Sequence, residues 1–384
     1  MVRSYRFRLY PNRETTTKLM EHLELCRFTY NKLLEILEKE KLKNPKDTQA
    51  LLPQLKKQYP KLRQVYAKVL QMVNHQLWSN ILGLYKKKTN GKKVGKLRYK
   101  GENRWKILNY NQFGFKIIKT GKRLDILKLS KIGYIPIQLT RPIPSRVKGI
   151  IVKRYSTGKW YALVQVENTT SFLPKTGKTI GIDVGLKYFL TDTEGRQIEN
   201  PKFYERTLQR IKLVQKSFSR KKKGSSNRKK WRLKLALLYE KLTNQRNDFL
   251  HKLSRYYVNN YDVIAIEKLN ISGMVRNCYL RSKILDASWG KFFQFLSYKA
   301  EEAGKKVLAV DPRGTSEGLT SEQPDRDYIS SHRILKRGLG QPWQPVERRP
   351  LLLITAQVVV EGQVFSGKQE VLSRTAQKIT GFCF

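Results

Sequence analysis

Residues 263–267, Val-Ile-Ala-Ile-Glu, set the tightest limit on how this chain can fold. A strand with one wet face alternates apolar and polar side chains, whereas four apolar residues in a row need cover on both faces, as in a parallel or mixed sheet flanked by helices. The run ends in a carboxylate, Glu267, at the rim of such a sheet. Comparable strand patterns stand at 178–185 (KTIGIDVG), 187–195 (KYFLTDTEG) and 306–312 (KVLAVDP), so a layered α/β unit is expected after a linker at 174–177. Between the second and third strands, residues 201–257 carry helical periodicity broken at Lys223-Gly224-Ser225-Ser226-Asn227. This predicts a long helical hairpin with arms of about 22 residues, about 33 Å at the helical rise.

The first half of the chain follows other periods. Residues 2–10 alternate basic or polar with apolar side chains and stop at Pro11-Asn12, which predicts a strand with one basic face. Apolar positions at Leu19, Leu23, Cys26, Phe28, Leu33, Leu34 and Leu37 predict a helix over 14–41, and a second helical stretch covers 62–87. From 94 to 167 short alternating runs return, punctuated by Gly and Pro, and predict a small antiparallel barrel. The last residues, 341–384, are nearly neutral, and their LLLITAQVVVEGQVF stretch is β-prone: an added strand, a partner contact or an aggregation-prone appendage.

Charge narrows the partner. Lys and Arg outnumber Asp and Glu by 78 to 30, a formal charge of +48, and a chain this basic repels itself unless a polyanion balances it. With 20 Tyr, 15 Phe and 6 Trp it is no basic tail, so packed domains that bind nucleic acid are expected. The hairpin turn concentrates Arg220, Lys221, Lys222, Lys223, Arg228, Lys229 and Lys230. Such a run is usually a solvated face, but beside Trp231 and the whole-chain charge it favours tracking of phosphates. Three scattered cysteines, Cys26, Cys278 and Cys383, form no CxxC pair, so neither a disulfide framework nor a zinc site is expected. The first residues lack an apolar signal core and no run is long enough to span a membrane, which predicts a soluble, cytoplasmic protein.

Against this background, acids in buried strands need a reason, because a desolvated carboxylate is costly unless paired or metal-bound. In GIDVG, Asp183 shares its face with Gly181 and Gly185, which leaves room for a close backbone or an ion. Asp327 begins a predicted helix, DYISSHRIL, whose Ser330 and Ser331 are small enough for close packing on a sheet. Each acid has a plainer reading: Asp183 closing a turn, Glu267 pairing with Lys268 or a hairpin arginine, Asp325 or Asp327 capping a helix. Together, Asp183, Glu267 and Asp327 match the way an RNase H or RuvC fold gathers carboxylates for two Mg²⁺ ions in phosphodiester cleavage. His251 and His332 fit structural or phosphate-contacting roles better than catalytic ones.

Many stretches in order carry a family resemblance: YRFRLYPN, CRFTYN, NRWKILNYNQFGFKI, GIDVGLKYFLTD, SRKKKGSSNRKKWRLKLALLYEKLTNQRNDFLHKLS, YDVIAIEKLNISGM and VDPRGTSE. Over nearly residues 1–340 the chain resembles TnpB, the OrfB protein of bacterial insertion sequences. The resemblance implies an α+β multidomain RNA-guided DNA endonuclease related to type V CRISPR effectors. Its parts would be a wedge β-barrel (1–12 and 94–173), a helical recognition insert (13–93) and a RuvC-like α/β domain (174–340) with the helical hairpin inserted. It implies Asp183, Glu267 and Asp327 as catalytic ligands of Mg²⁺ or Mn²⁺. The implied partners are a guide RNA from the element's end and double-stranded target DNA with a short flanking motif, in the bacterial cytoplasm at the nucleoid. Nucleic-acid contacts are expected from Tyr5, Arg6, Arg8, Asn31, Gln71, Asn74, Gln76, Arg98, Lys100 and Arg104, and on the hairpin from Arg220, Lys221, Lys222, Arg228, Lys229 and Arg246.

Two departures cluster near Asp327. The family's Thr-Ser motif is usually followed by a four-cysteine zinc finger; here Leu319 to Pro324 stand in its place without a cysteine. The family's Asp-x-Asn-Ala-Ala reads Asp327-Tyr328-Ile329-Ser330-Ser331. The expectation is that cleavage survives, since all three acids are kept. A guided binder that does not cut, and a transposase that itself joins strands, remain the alternatives.

Overall fold

The computed structural model describes residues 2–143, 146–167, 172–276, 279–320, 323, 325–342 and 350–361. The chain divides into two compact units, residues 1–169 and 170–384. Cys278, Cys383 and most of the tail lie outside the described residues, as do parts of the 317–324 segment.

The first unit opens with β1 (Val2–Leu9), followed by α1 (Arg13–Glu40), α2 (Pro45–Gln58), a 3₁₀ turn (Pro60–Gln64) and α3 (Ala67–Thr89). Six strands complete it: β2 (Ile107–Asn111), β3 (Phe115–Ile118), β4 (Asp125–Leu129), β5 (Gly133–Gln138), β6 (Val147–Arg154) and β7 (Trp160–Glu167). The sheet runs β2-β6-β7-β1-β5-β4-β3 with antiparallel neighbours. Its two edge strands, β2 and β3, are joined by three residues, and the sheet is a nearly closed barrel. Asn12 caps α1 by accepting the Thr15 N–H at 2.8 Å. The buried stripe of α1, Leu19, Leu23, Cys26, Tyr30, Leu33 and Leu34, shares one core with Phe7 and Leu9 of β1 and Ile135 and Ile137 of β5. Helix α2 was not legible as a separate element, because it is lysine-rich and contains Pro53.

The second unit holds β8 (Thr179–Asp183), β9 (Tyr188–Asp192), β10 (Arg196–Glu199), α4 (Phe203–Ser219), α5 (Ser226–Asn260), β11 (Val263–Glu267), α6 (Ile271–Arg276), α7 (Arg281–Ala287), α8 (Trp289–Ala303), β12 (Lys306–Val310), α9 (Arg326–Gly338), β13 (Leu352–Ile354) and α10 (Ala356–Glu361). The mixed sheet runs β12-β11-β8-β9-β10-β13; β11 lies parallel to both β8 and β12, while β9 is antiparallel to β8 and β10. This is the layered mixed sheet expected from the apolar run of β11. The hairpin is unequal: α4 has 17 residues and α5 has 35, so α5 alone is about 52 Å long. Part of the tail joins the sheet, since β13 pairs parallel with β10.

Each face of this sheet has its own cover. Ile180, Ile182, Ile264 and Ile266 pack with Phe249 and Leu253 of α5 and Phe292 and Leu296 of α8. Ala265 points the other way and packs with Ile334 and Leu335 of α9. Among the described residues no helix is long and apolar enough to cross a membrane.

Candidate active site

Strands β8 and β11 run side by side with Ile182 opposite Ile266. The next residue of each is an acid, Asp183 and Glu267, so two carboxylates leave adjacent strand ends on the side that faces α9. Helix α9 comes close because its path over the sheet is cleared of side chains. A methyl group on Gly181 would stand 2.1 Å from the Ser331 carbonyl, and one on Gly338 3.1 Å from the Ala265 methyl. Ser330 and Ser331 are fully buried at this contact, with Ser331 Oγ donating to the Tyr328 carbonyl at 2.7 Å. Such packing delivers the first turn of α9, and with it Asp327, beside the end of β8: the Asp327 Oδ2 atom would lie 3.7 Å from a methyl placed on Gly185.

The electrostatics report the same convergence. Burial pushes the Asp183 carboxyl well above the usual carboxylate range, and the negative charges of Glu267 and Asp327 push it further, against the pull of Arg326 and the Val184 N–H. Burial also raises Glu267, opposed by the Thr315 hydroxyl and the Arg337 charge. An all-oxygen set of crowded anions suits a hard divalent cation. Among the described residues, no three acidic, histidine or cysteine side chains stand close enough to enclose an ion as they are. The acids suit Mg²⁺ or Mn²⁺ in donor chemistry, while their spacing as they stand does not enclose an ion.

Sequence reasoning missed two neighbours of the acids. Thr315, of the Thr-Ser motif, hydrogen-bonds Glu267 at 2.5 Å. Arg326, between two acids in Asp-Arg-Asp, has its Nε buried with no hydrogen-bond partner among the described residues. Both lay in motifs whose backbone direction was uncertain until α9 was placed. His251 stacks on Phe295 at 3.9 Å and His332 meets the edge of Tyr328 at 4.7 Å.

The expected nucleic-acid contacts separate into exposed and internal groups. On the outer face of β1, Arg6 is exposed and lies over the Tyr161 ring at 5.2 Å; Arg8 lies over the same ring at 5.1 Å and over Tyr10 at 5.4 Å. Tyr5 points to the opposite face, against the core, with Arg141 over its ring. Arg98 and Arg104 are exposed, and Lys100 covers the Tyr30 ring at 5.3 Å. Gln71 lines a groove of about 400 Å³ with Lys46, Gln49 and Lys56, and Gln76 donates to Asn80. On the hairpin, Arg220, Lys222 and Lys229 are exposed and Lys221 is half-buried.

Four of these residues have other work. Asn31 binds both backbone groups of Lys100, accepting at 2.8 Å and donating at 3.1 Å, so it pins that segment to α1. Asn74 is buried and holds Thr48 and the Pro45 carbonyl. Arg228 closes the hairpin turn through the Phe218 and Lys221 carbonyls, with its guanidinium 4.2 Å from the Phe218 ring. Arg246 is an ion partner of Asp286. Each was expected to face nucleic acid; Asn74 is buried, and Asn31, Arg228 and Arg246 are half-buried with these partners.

Three family models match the chain: one described as "Probable transposase" (OrfB of IS605) over residues 162–278, a "Helix-turn-helix domain" of the same OrfB group over 1–42, and a "Cas12f1-like, TNB domain" over 289–333. A protein of Streptomyces pristinaespiralis named "Putative RNA-guided DNA endonuclease" is 29% identical over 321 residues, covering 80% of this chain and 77% of that one. One of Escherichia coli K12, "Putative RNA-guided DNA endonuclease InsQ", is 28% identical over 57% of this chain and 58% of its own. The fold is similar to that of Cas12f1 in a complex with sgRNA and target DNA, with a TM-score of 0.54, 15% identity, and 84% and 82% of the two chains covered. Residues 2–40, within the helix-turn-helix match, fold here as one strand followed by one long helix.

Proposed function

We propose, from the premise that the chain belongs to the TnpB (OrfB) family, that it is an RNA-guided DNA endonuclease whose Asp183, Glu267 and Asp327 cut a target strand by metal-assisted phosphodiester hydrolysis. The observation that carries the reading is the convergence of three acids from two parallel strand ends and one helix start, close enough that Asp183 feels the charge of both others. The names of the relatives and the Cas12f1 fold support guided action on DNA.

Asp183, Glu267 and Asp327 would hold Mg²⁺ or Mn²⁺, which when bound would activate water and offset charge on the phosphoryl oxygens. The chain's own part is to fix the acids. The strands fix the backbones that carry Asp183 and Glu267, and α9 sets Asp327 through the Gly181 contact. Arg326 brings a positive charge beside Asp183. Guide RNA and DNA would be held by the exposed arginines and tyrosines of the barrel face and the lysines of the hairpin turn, mainly through phosphates. Reading of a short flanking motif and action at the bacterial nucleoid belong to the same proposal.

The carboxylates stand too far apart to enclose an ion as they are, which favours a second reading: a guided binder that does not cut. The transposase reading loses support from residues 2–40, which form no helix-turn-helix. One assay separates the first two. With the chain loaded with its guide, a matched duplex and Mg²⁺, the parent should cut and Asp183→Ala should bind the duplex equally but cut at least about 10³-fold more slowly. Parent and variant equally inert, with binding intact, would establish the binder.

A further inference from the structure

The described part of the segment joining β12 to α9, residues 311–325, is held at several points. Thr315 is 2% exposed, and its hydroxyl lies 2.5 Å from Glu267 Oε1 and 2.9 Å from the Pro312 carbonyl. Among the described residues, the other carboxylate oxygen of Glu267 has no hydrogen bond. The backbone on either side of Thr315 is tied to α9. Ser316 Oγ meets Ser330 Oγ at 3.0 Å, and Arg333 Nη1 donates to the Glu317 carbonyl at 2.5 Å. One turn further, Arg337 Nη1 donates to the carbonyls of Asp311, at 2.8 Å, and Arg313.

A glutamate at a strand end has three side-chain torsions, and an ion is bound tightly only when those torsions are already fixed. Here a neutral donor occupies one oxygen, and the second makes no hydrogen bond among the described residues. We propose that Thr315 is the positioning residue for Glu267, and that α9, through Ser330, Arg333 and Arg337, braces the loop that carries Thr315. The same helix thereby supplies Asp327 and, through the loop, sets the geometry of Glu267, so two of the three acids move with α9. This inference rests on the reading of Glu267 as a metal ligand.

The test uses the full-length chain without RNA and Mn²⁺ as the probe, titrated by calorimetry and by the electron paramagnetic resonance of free Mn²⁺. Thr315→Val keeps the shape and removes the donor; Thr315→Ser keeps the donor. Mn²⁺ affinity should fall about 10- to 100-fold in Thr315→Val and stay within about threefold of the parent in Thr315→Ser. In the guide-loaded protein, Thr315→Val should need correspondingly more Mg²⁺ for half-maximal cutting while RNA affinity is unchanged. If Thr315→Val fails to fold, Thr315→Ala carries the same comparison against Thr315→Ser. A parent that binds Mn²⁺ with the donor-less variant unaffected overturns the role of Thr315 alone. A parent that binds no Mn²⁺ overturns the metal reading of the acids, and this inference with it.

Discussion

Gly181 places the active site by what it lacks. With the Ser331 carbonyl 2.1 Å from where a methyl would stand, Gly181→Ala must lift α9 off β8 and carry Asp327 away from Asp183. The expected result is a loss of about 1–3 kcal/mol in stability, seen in urea melts, together with loss of cutting while guide binding persists. Unchanged melts and cutting would mean that α9 does not rest there. His22 makes a different residue-scale prediction. It is buried in α1, and burial, then the nearby Lys18 charge, takes its imidazole down to about 4. Because the folded value lies below the unfolded one, this contribution to stability is complete above about pH 6.5 and is lost as pH falls towards 4, at most about 3 kcal/mol. His22→Leu should flatten that part of the stability–pH curve, and an unchanged slope would refute the assignment. At this scale the acids were legible because a carboxylate in an apolar strand is conspicuous. Asn31 and Asn74 were misread because a sequence does not say whether a polar side chain's partner is its own backbone. Thr315 escaped notice because its partner, Glu267, lies 48 residues away.

Among the strands, β10 is one that hydrophobic patterning could not find. It is four residues long, and its first two, Arg196 and Gln197, are polar yet buried. Arg196 is held by Asp192 at 2.7 Å, by the hydroxyls of Tyr256 and Tyr261, and by the faces of Tyr256, Tyr257 and Tyr261. Tyr257 donates to the same Asp192 at 2.7 Å. This network ties the end of α5 to the β9–β10 hairpin on the face away from the acids. Asp192→Ala would remove the buried carboxylate and leave the guanidinium with Glu194 at 3.1 Å and the two tyrosine hydroxyls, so it should cost about 1–3 kcal/mol and lower the melting temperature by roughly 5 °C. A shift under about 2 °C would show the network to be dispensable. Most other strands of the two sheets were legible from their periods, and the hairpin turn from its Lys-Gly-Ser-Ser-Asn sequence. The arms were misjudged as equal because α5 continues to Asn260, where its buried side chains belong to the sheet's core rather than to the hairpin.

For the whole molecule, a charge of +48 makes binding to RNA an exchange of counterions. Guide affinity should fall by about 10³-fold or more between 50 and 200 mM salt, as expected for at least six phosphate contacts, and a flat dependence would contradict a backbone-held guide. In the proposed function, base pairing with the RNA chooses the DNA to be cut. The decisive measurement is sequencing of the RNA that copurifies from cells carrying the chain with its native flanking DNA, followed by replacement of that RNA's guide segment. The expected result is one discrete RNA, and Mg²⁺-dependent cutting that moves to whichever DNA matches the new guide. Cutting that ignores the guide, or that needs no RNA at all, would contradict it and return the chain to the transposase reading.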